Sequence, residues 1–178
     1  MMKQATHRLF FAFWPDDSCR QELEAARNRL FPLSGRPVAI AGVHVIAAFL
    51  GPVSNARLAD LHALARPVPT LTITFDRLEH WPRPRVLVAA TTHVPDDVRC
   101  LVDGLWQRLD RLGFARETRP LKPHVTLVRD VRSVRPGLSW SPLPWSVDRL
   151  CLVESVSTPD GVIHQPLEPA SRVGAVPT

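Results

Sequence analysis

The chain has 178 residues, 45% of them hydrophobic and 22% charged, the make-up of an ordinary globular protein with enough length for one substantial core. Its formal charge of +5 favours polyanionic or phosphate-bearing partners, and only Lys3 and Lys122 among its 22 basic residues are lysines, so the charge is carried by arginine forks suited to phosphate. A coding preference for arginine gives the same count, so charge alone does not single out nucleic acid. Cys19, Cys100 and Cys151 are widely separated and form no Cys-x-x-Cys pair, so neither a disulfide framework nor a zinc ribbon is indicated. The apolar run Leu9 to Trp14 is too short for a signal peptide or a membrane span. The expectation is a single domain over residues 1–178, reduced and cytoplasmic, with no membrane association.

In chain order, His7 to Phe13 reads as a strand leading out of a disordered start, and Trp14 to Ser18 supplies a turn with several N-cap candidates. A helix follows to about Leu30, with Cys19, Leu23, Ala26 and Leu30 on one stripe and Arg20, Glu24 and Arg27 facing water. Pro32 to Pro37 is a loop that delivers a strand over Gly42 to Gly51. Ser54 or Asn55 caps a second helix bearing Leu58, Leu61, Leu64 and Ala65, ended by Pro67 and Pro69. Leu71 to Phe75 alternates as a strand, Trp81 to Pro84 turns, and Arg85 to Thr91 is another strand. Pro95 opens a third helix striped by Val98, Leu101, Val102, Leu105, Leu109 and Leu112, with Gly113 just past its end. A strand in the stretch Arg119 to Arg129, then Trp145 to Val156 and Val162 to Leu167, complete an α+β layout. The basic loop from Arg132 to Pro144 is either a solvated linker or a surface on which Trp140 stacks a base.

Two stretches echo each other. Gly42-Val43-His44-Val45-Ile46 and Lys122-Pro123-His124-Val125-Thr126 each place a histidine in an apolar, β-branched strand, 80 residues apart, and each is preceded by a helix and a proline-bearing loop. Alternation puts His124 and Thr126 on one face of their strand. A single strand histidine is commonly a hydrogen-bonded structural group, but two at half-chain spacing point to a shared site: two imidazoles around one small anion. The histidines at 7, 62, 80, 93 and 164 are isolated and show no metal-ligand spacing. No Gly-x-Ser-x-Gly elbow, Walker loop, Gly-x-Gly-x-x-Gly or His-Glu-x-x-His is present.

The doubled His-x-Thr/Ser-x pattern resembles the 2H phosphoesterase superfamily. The flanks, Arg8 to Pro15, Ala48 to Gly51, His80 to Leu87 and Leu152 to Ser155, are similar to the RNA 2′,3′-cyclic phosphodiesterases, also called 2′-5′ RNA ligases. The resemblance covers about residues 7–168. It implies a bilobal fold of two antiparallel sheets flanked by helices around a central cleft. It also implies a monomer acting on RNA ends or cyclic nucleotides, with no cofactor and no metal. By the same resemblance His44 is the proton donor, His124 the proton acceptor, and Thr126 and Arg129 hold the phosphate. The chain departs from the pattern at Ile46, which stands where the family has a phosphate-binding Thr or Ser. That substitution predicts reduced activity, or alternatively a weakly active or inactive relative that binds RNA or a phosphate-containing ligand. Simple alternation would turn Arg129 away from His124, so Arg129 needs a strand end or a bulge to reach the cleft.

Overall fold

The computed structural model describes residues 6–159 and 161–168, and the start expected to be disordered lies largely outside them. Nine strands and three helices run β1 (Thr6–Phe13), α1 (Asp17–Asn28), β2 (Arg36–Pro37), β3 (Val45–Ser54), α2 (Leu58–His62), β4 (Arg66–Phe75), β5 (Arg77–Trp81), β6 (Val86–Ala90), α3 (Asp96–Arg111), β7 (His124–Arg129), β8 (Leu143–Thr158) and β9 (Gly161–Pro166). They form two antiparallel sheets. One has the order β3-β1-β8-β4, with β9 also pairing to β8, and the other has the order β2-β7-β6-β5. This is the α+β arrangement expected, with each histidine motif on a different sheet.

Local chemistry sets the helix ends. The Asp16 carboxylate accepts from the Cys19 amide at 2.7 Å and caps α1. Asp96 and Asp97 occupy the first turn of α3, Arg108 and Arg111 the last, each complementing the helix dipole, and Gly113 follows at φ 81°, the left-handed position where glycine costs least. Helix α3 buries Val98, Val102, Leu105, Trp106 and Leu109. The second helix is a single five-residue turn preceded by a 3-10 turn, with no side-chain cap from Ser54 or Asn55. Pro67 and Pro69 do not merely end it. They lie inside β4, which tolerates them because an edge strand leaves one row of amides unpaired.

Strand β1 is apolar on both faces and shows how the sheet is used. Leu9, Phe11 and Phe13 join a large core with α1, α3, β4, β7 and β8, whereas Phe10 and Ala12 point the other way into a small cluster with Cys151 and Val153, edged by Trp14, Ile46 and Phe49. The second sheet divides likewise, with Leu87 and Ala89 in the large core and Val86, Val88 and Ala90 beside Trp81. The two small clusters mark the faces that carry the histidines.

Arg27 departs from its expected exposure: it is buried, and its guanidinium donates to the Val38 carbonyl while pairing with Glu24. It thereby ties α1 to the segment leading into the first motif. Trp140 is half-buried against the core and donates its indole N–H to the Phe75 carbonyl at 2.9 Å, so it braces the basic loop on β4. Cys19, Cys100 and Cys151 are free thiols, and no described helix is long and apolar enough to cross a membrane.

Candidate active site

His44 lies one residue before β3 and His124 opens β7. Both rings are anchored in the same way. His44 Nδ1 is 2.8 Å from the carbonyl of Gly42, and His124 Nδ1 is 2.8 Å from the carbonyl of Lys122, in each case two residues back. A carbonyl can only accept, so Nδ1 carries the proton and Nε2 is the atom left for chemistry. A neutral ring offers Nε2 as a base; a protonated ring offers Nε2–H as an acid.

A tryptophan from a Trp-Pro pair flanks each imidazole. Trp14 lies parallel to His44 with ring centroids 5.9 Å apart, and Trp81 lies 4.6 Å from His124. Trp81 is fixed in turn by Glu79, which accepts its indole N–H at 2.8 Å and also takes Lys122 Nζ at 2.6 Å. Burial alone would raise the Glu79 carboxyl, but hydrogen bonds from Lys122, Trp81 and Arg77 outweigh it and hold the group down at about 2. Trp14 and Trp81 were visible in the sequence as flanks of the motifs, but nothing there showed that they pack on the histidines.

The two motif strands share a defect that decides which side chains reach the cleft. On β7 the partner register with β6 runs His124 to Ala90, Val125 to Ala89 and Thr126 to Val88, skips Leu127, then resumes with Val128 to Leu87 and Arg129 to Val86. The extra residue reverses the parity, so Arg129 returns to the face of His124 and Thr126. The expected bulge is there. It is held by β2, whose neighbour Val38 donates its amide to the Leu127 carbonyl at 2.9 Å. Gly35 packs so closely on this turn that a Cβ would fall 2.4 Å from the Arg129 carbonyl oxygen. On β3 the register likewise pairs Ala12 with Ile46, skips Ala47 and pairs Phe11 with Ala48, then Phe10 with Phe49. Counting from each histidine, Ile46 therefore matches Thr126, Ala47 matches Leu127, and Phe49 matches Arg129. The first strand keeps the backbone geometry of the second but contributes neither a hydroxyl nor a guanidinium at those two positions. Ile46 packs beside Phe10 and Ala12, in the cluster whose Phe10 and Trp14 also contact His44.

Electrostatics bring the pieces together. Burial, the largest cause, pushes His44 down to about 4. The hydrogen bond to Gly42 opposes this, and His164, Arg129 and His124 add to it. His124 is also lowered, first by burial. His164, Arg129 and His124 therefore all lie near enough to act on the charge of His44. His164, read from the sequence as isolated, is among them: its ring centroid is 4.8 Å from that of His44. It reaches the site because β9 pairs with β8, a long-range register that one-dimensional spacing does not reveal. His7, by contrast, sits between Glu154 and Asn55 in a separate polar contact. Among the described residues no three His, Cys, Asp or Glu side chains are grouped as a metal site. A recess of about 430 Å³ lined by Arg36, Arg85, Asp130 and Arg132 opens at the end of β7, beside the histidine face rather than on it.

Two half-buried imidazoles, each held by Nδ1, with one hydroxyl and one guanidinium nearby, suit proton transfer at a phosphate. Comparison with known proteins places the whole chain. The family model of the 2'-5' RNA ligase superfamily matches residues 14–159. The chain is 35% identical over 141 residues to the RNA 2',3'-cyclic phosphodiesterase of Escherichia coli strain K12, covering 75% of this chain and 80% of that protein. Crystal structures of E. coli LigT superpose on it throughout: the complex with 3'-AMP at TM-score 0.78 and 30% identity, covering 92% of this chain and 97% of LigT, and the complex with phosphate at 0.71 and 28%, covering 93% and 96%. The matched span contains both histidine strands and the bulges that shape them, and the chain belongs to the 2'-5' RNA ligase superfamily.

Proposed function

We propose that this protein is a metal-independent phosphodiesterase that opens 2′,3′-cyclic phosphates on RNA ends or nucleotides and leaves a 2′-phosphate. The matching anchorage of His44 and His124, each with Nδ1 on the carbonyl two residues back and Nε2 free, carries this reading. His124 Nε2 takes a proton from water as the water oxygen bonds to phosphorus. The bond from phosphorus to O3′ breaks, and His44 Nε2–H protonates that oxygen. Each transfer contributes roughly 10²- to 10⁴-fold. Thr126 and Arg129 hold the non-bridging oxygens. In the free site His44 is held down at about 4, and the bound phosphate anion opposes this by favouring the imidazolium the step requires. The likeness to an E. coli cyclic phosphodiesterase, and to LigT structures holding 3'-AMP or phosphate, supports the substrate class. The three free thiols suit a reduced, cytoplasmic setting, and we take the protein as a monomer.

A second reading, a relative that binds phosphate ligands without turnover, is sustained by Ile46 and Phe49, which leave the first strand without donors at two positions. Turnover separates the two. With chelator present, the wild type is expected to hydrolyse 2′,3′-cyclic nucleotides, while His44→Ala and His124→Ala stay folded and lose at least about 100-fold in kcat. Binding of a 2′-nucleotide without hydrolysis would establish the second reading. A chelator-sensitive rate restored by a divalent ion would replace the imidazole mechanism with a metal-assisted one.

A further inference from the structure

The first motif strand offers isoleucine and phenylalanine where the second offers threonine and arginine, yet the sheet around it is not without donors. Arg8, Ser155 and His164 lie in line across β1, β8 and β9, since Arg8 pairs with Ser155 and Ser155 with His164. Arg8 is drawn over the Phe49 ring, its guanidinium carbon 4.9 Å from the centroid. His164 is turned toward the catalytic group. It makes edge contacts with His44 at 4.8 Å and with Phe10 at 5.5 Å, and its Nδ1 lies 3.1 Å from the Ser155 hydroxyl.

Resting on the phosphodiesterase reading above, we propose that His164 is a phosphate-binding residue that supplies, from β9, the donor which Ile46 removes from the first motif. In this role the Ser155 hydroxyl, 3.1 Å away, donates into Nδ1 and the proton of the neutral ring sits on Nε2. A neutral imidazole in that tautomer is a hydrogen-bond donor without being an acid. Its function therefore survives the depression of its basicity, caused first by burial and then by the positive charge of Arg129. In the free protein the ring rests edge-on against His44. With a phosphate in the cleft, its Nε2–H and the Arg129 guanidinium grip oxygens that a hydroxyl at position 46 would otherwise share.

The test is a double-mutant cycle between His164→Ala and Ile46→Thr, with circular dichroism to confirm folding and kcat/KM measured on a 2′,3′-cyclic nucleotide. His164→Ala is expected to lose about 10- to 100-fold in kcat/KM, as for a hydrogen bond to a charged acceptor. The same change made in Ile46→Thr is expected to cost under about threefold, because the restored hydroxyl takes over. A purely structural His164 would lower stability equally in both backgrounds and show no such exchange. Wild-type kcat/KM in folded His164→Ala, or an equal loss in both backgrounds, overturns the proposal. If His164→Ala does not fold, His164→Gln, which keeps a side-chain N–H, is used in the same cycle: retention of most activity supports the proposal, and a loss as large in Ile46→Thr as in wild type overturns it. Calorimetric affinity for inorganic phosphate separates the two levels of inference. A wild type that hydrolyses no cyclic nucleotide refutes the function, whereas phosphate affinity unchanged by His164→Ala refutes the role of His164.

Discussion

Ile46→Thr puts the central asymmetry of the cleft to experiment. Ile46 is half-buried on the cleft face, paired with Ala12 and packed at the edge of the Phe10, Ala12, Cys151 and Val153 cluster. Threonine keeps the β-branch and the strand preference, so the backbone and its bulge are retained. It exchanges an ethyl group for a hydroxyl. At about 0.8 kcal/mol per buried CH₂, and with the site only half-buried, the loss of packing costs roughly 1–2 kcal/mol, a fall in Tm of a few degrees for a domain of this size. On the other side, a hydroxyl on a phosphate oxygen contributes roughly 1.5–3 kcal/mol, which is about 10- to 100-fold in rate. The lower end, about tenfold, is expected here because His164 already supplies one donor in the wild type. The assay is steady-state hydrolysis of several 2′,3′-cyclic nucleotides beside a thermal melt, predicting a less stable and faster enzyme. A folded Ile46→Thr protein with unchanged or lower kcat/KM on all of them would refute the placement of position 46 at the phosphate.

Arg129→Ala should raise KM and reduce kcat/KM by about 10-fold or more, and should also move the titration of His44 upward, since the Arg129 charge is one cause of its depression. A His44 titration unmoved by the substitution, followed by NMR, would place the guanidinium outside the cleft. The pH profile follows from the same shifts. His44 and His124 both lie below the ordinary 6.5, so the imidazolium donor of the free enzyme fades on the acid side of that value, and the kcat/KM optimum is expected below it. The kcat limb lies at higher pH, because bound phosphate favours the imidazolium. An optimum above about pH 8 would contradict both the donor assignment and the electrostatics. For stability, the unfolded chain binds more protons than these depressed histidines, so stability present above 6.5 is lost as pH falls from there toward about 4. His44→Ala should flatten that loss in Tm-against-pH measurements. His7, raised chiefly by its hydrogen bond to Glu154, acts in the opposite sense: its contribution is present below 6.5 and is lost as pH rises through its folded value.

Periodicity and turn chemistry located most of the frame. The β1 run, the capped α1, the stripe and glycine end of α3, and both histidine strands all follow from local patterns that the tertiary structure leaves intact. Where local reading went astray, a distant partner had decided the outcome. Pro67 and Pro69 look like helix stops but are tolerated in β4 by its edge position. Arg27 falls on the polar side of the α1 stripe yet is buried because Val38 offers it a carbonyl. Strand β5 is unremarkable by alternation and is defined by pairing with β6. In the site, His44, His124 and Thr126 were legible from the repeat, and the need for a bulge at Arg129 from simple parity. His164 was not legible, because only the pairing of β9 with β8 brings it to His44.

The residue skipped three places after each motif histidine makes the shape of the backbone part of the chemistry. Flattening the kink while keeping every residue would leave a regular ladder, in which the guanidinium would be aimed into the core and Val128 toward the face of His124. Every catalytic letter would still be spelled in the sequence, yet the word would be unreadable to a phosphate. What position 129 can reach is therefore set as much by the kink that Gly35 and Val38 press into place as by the arginine itself.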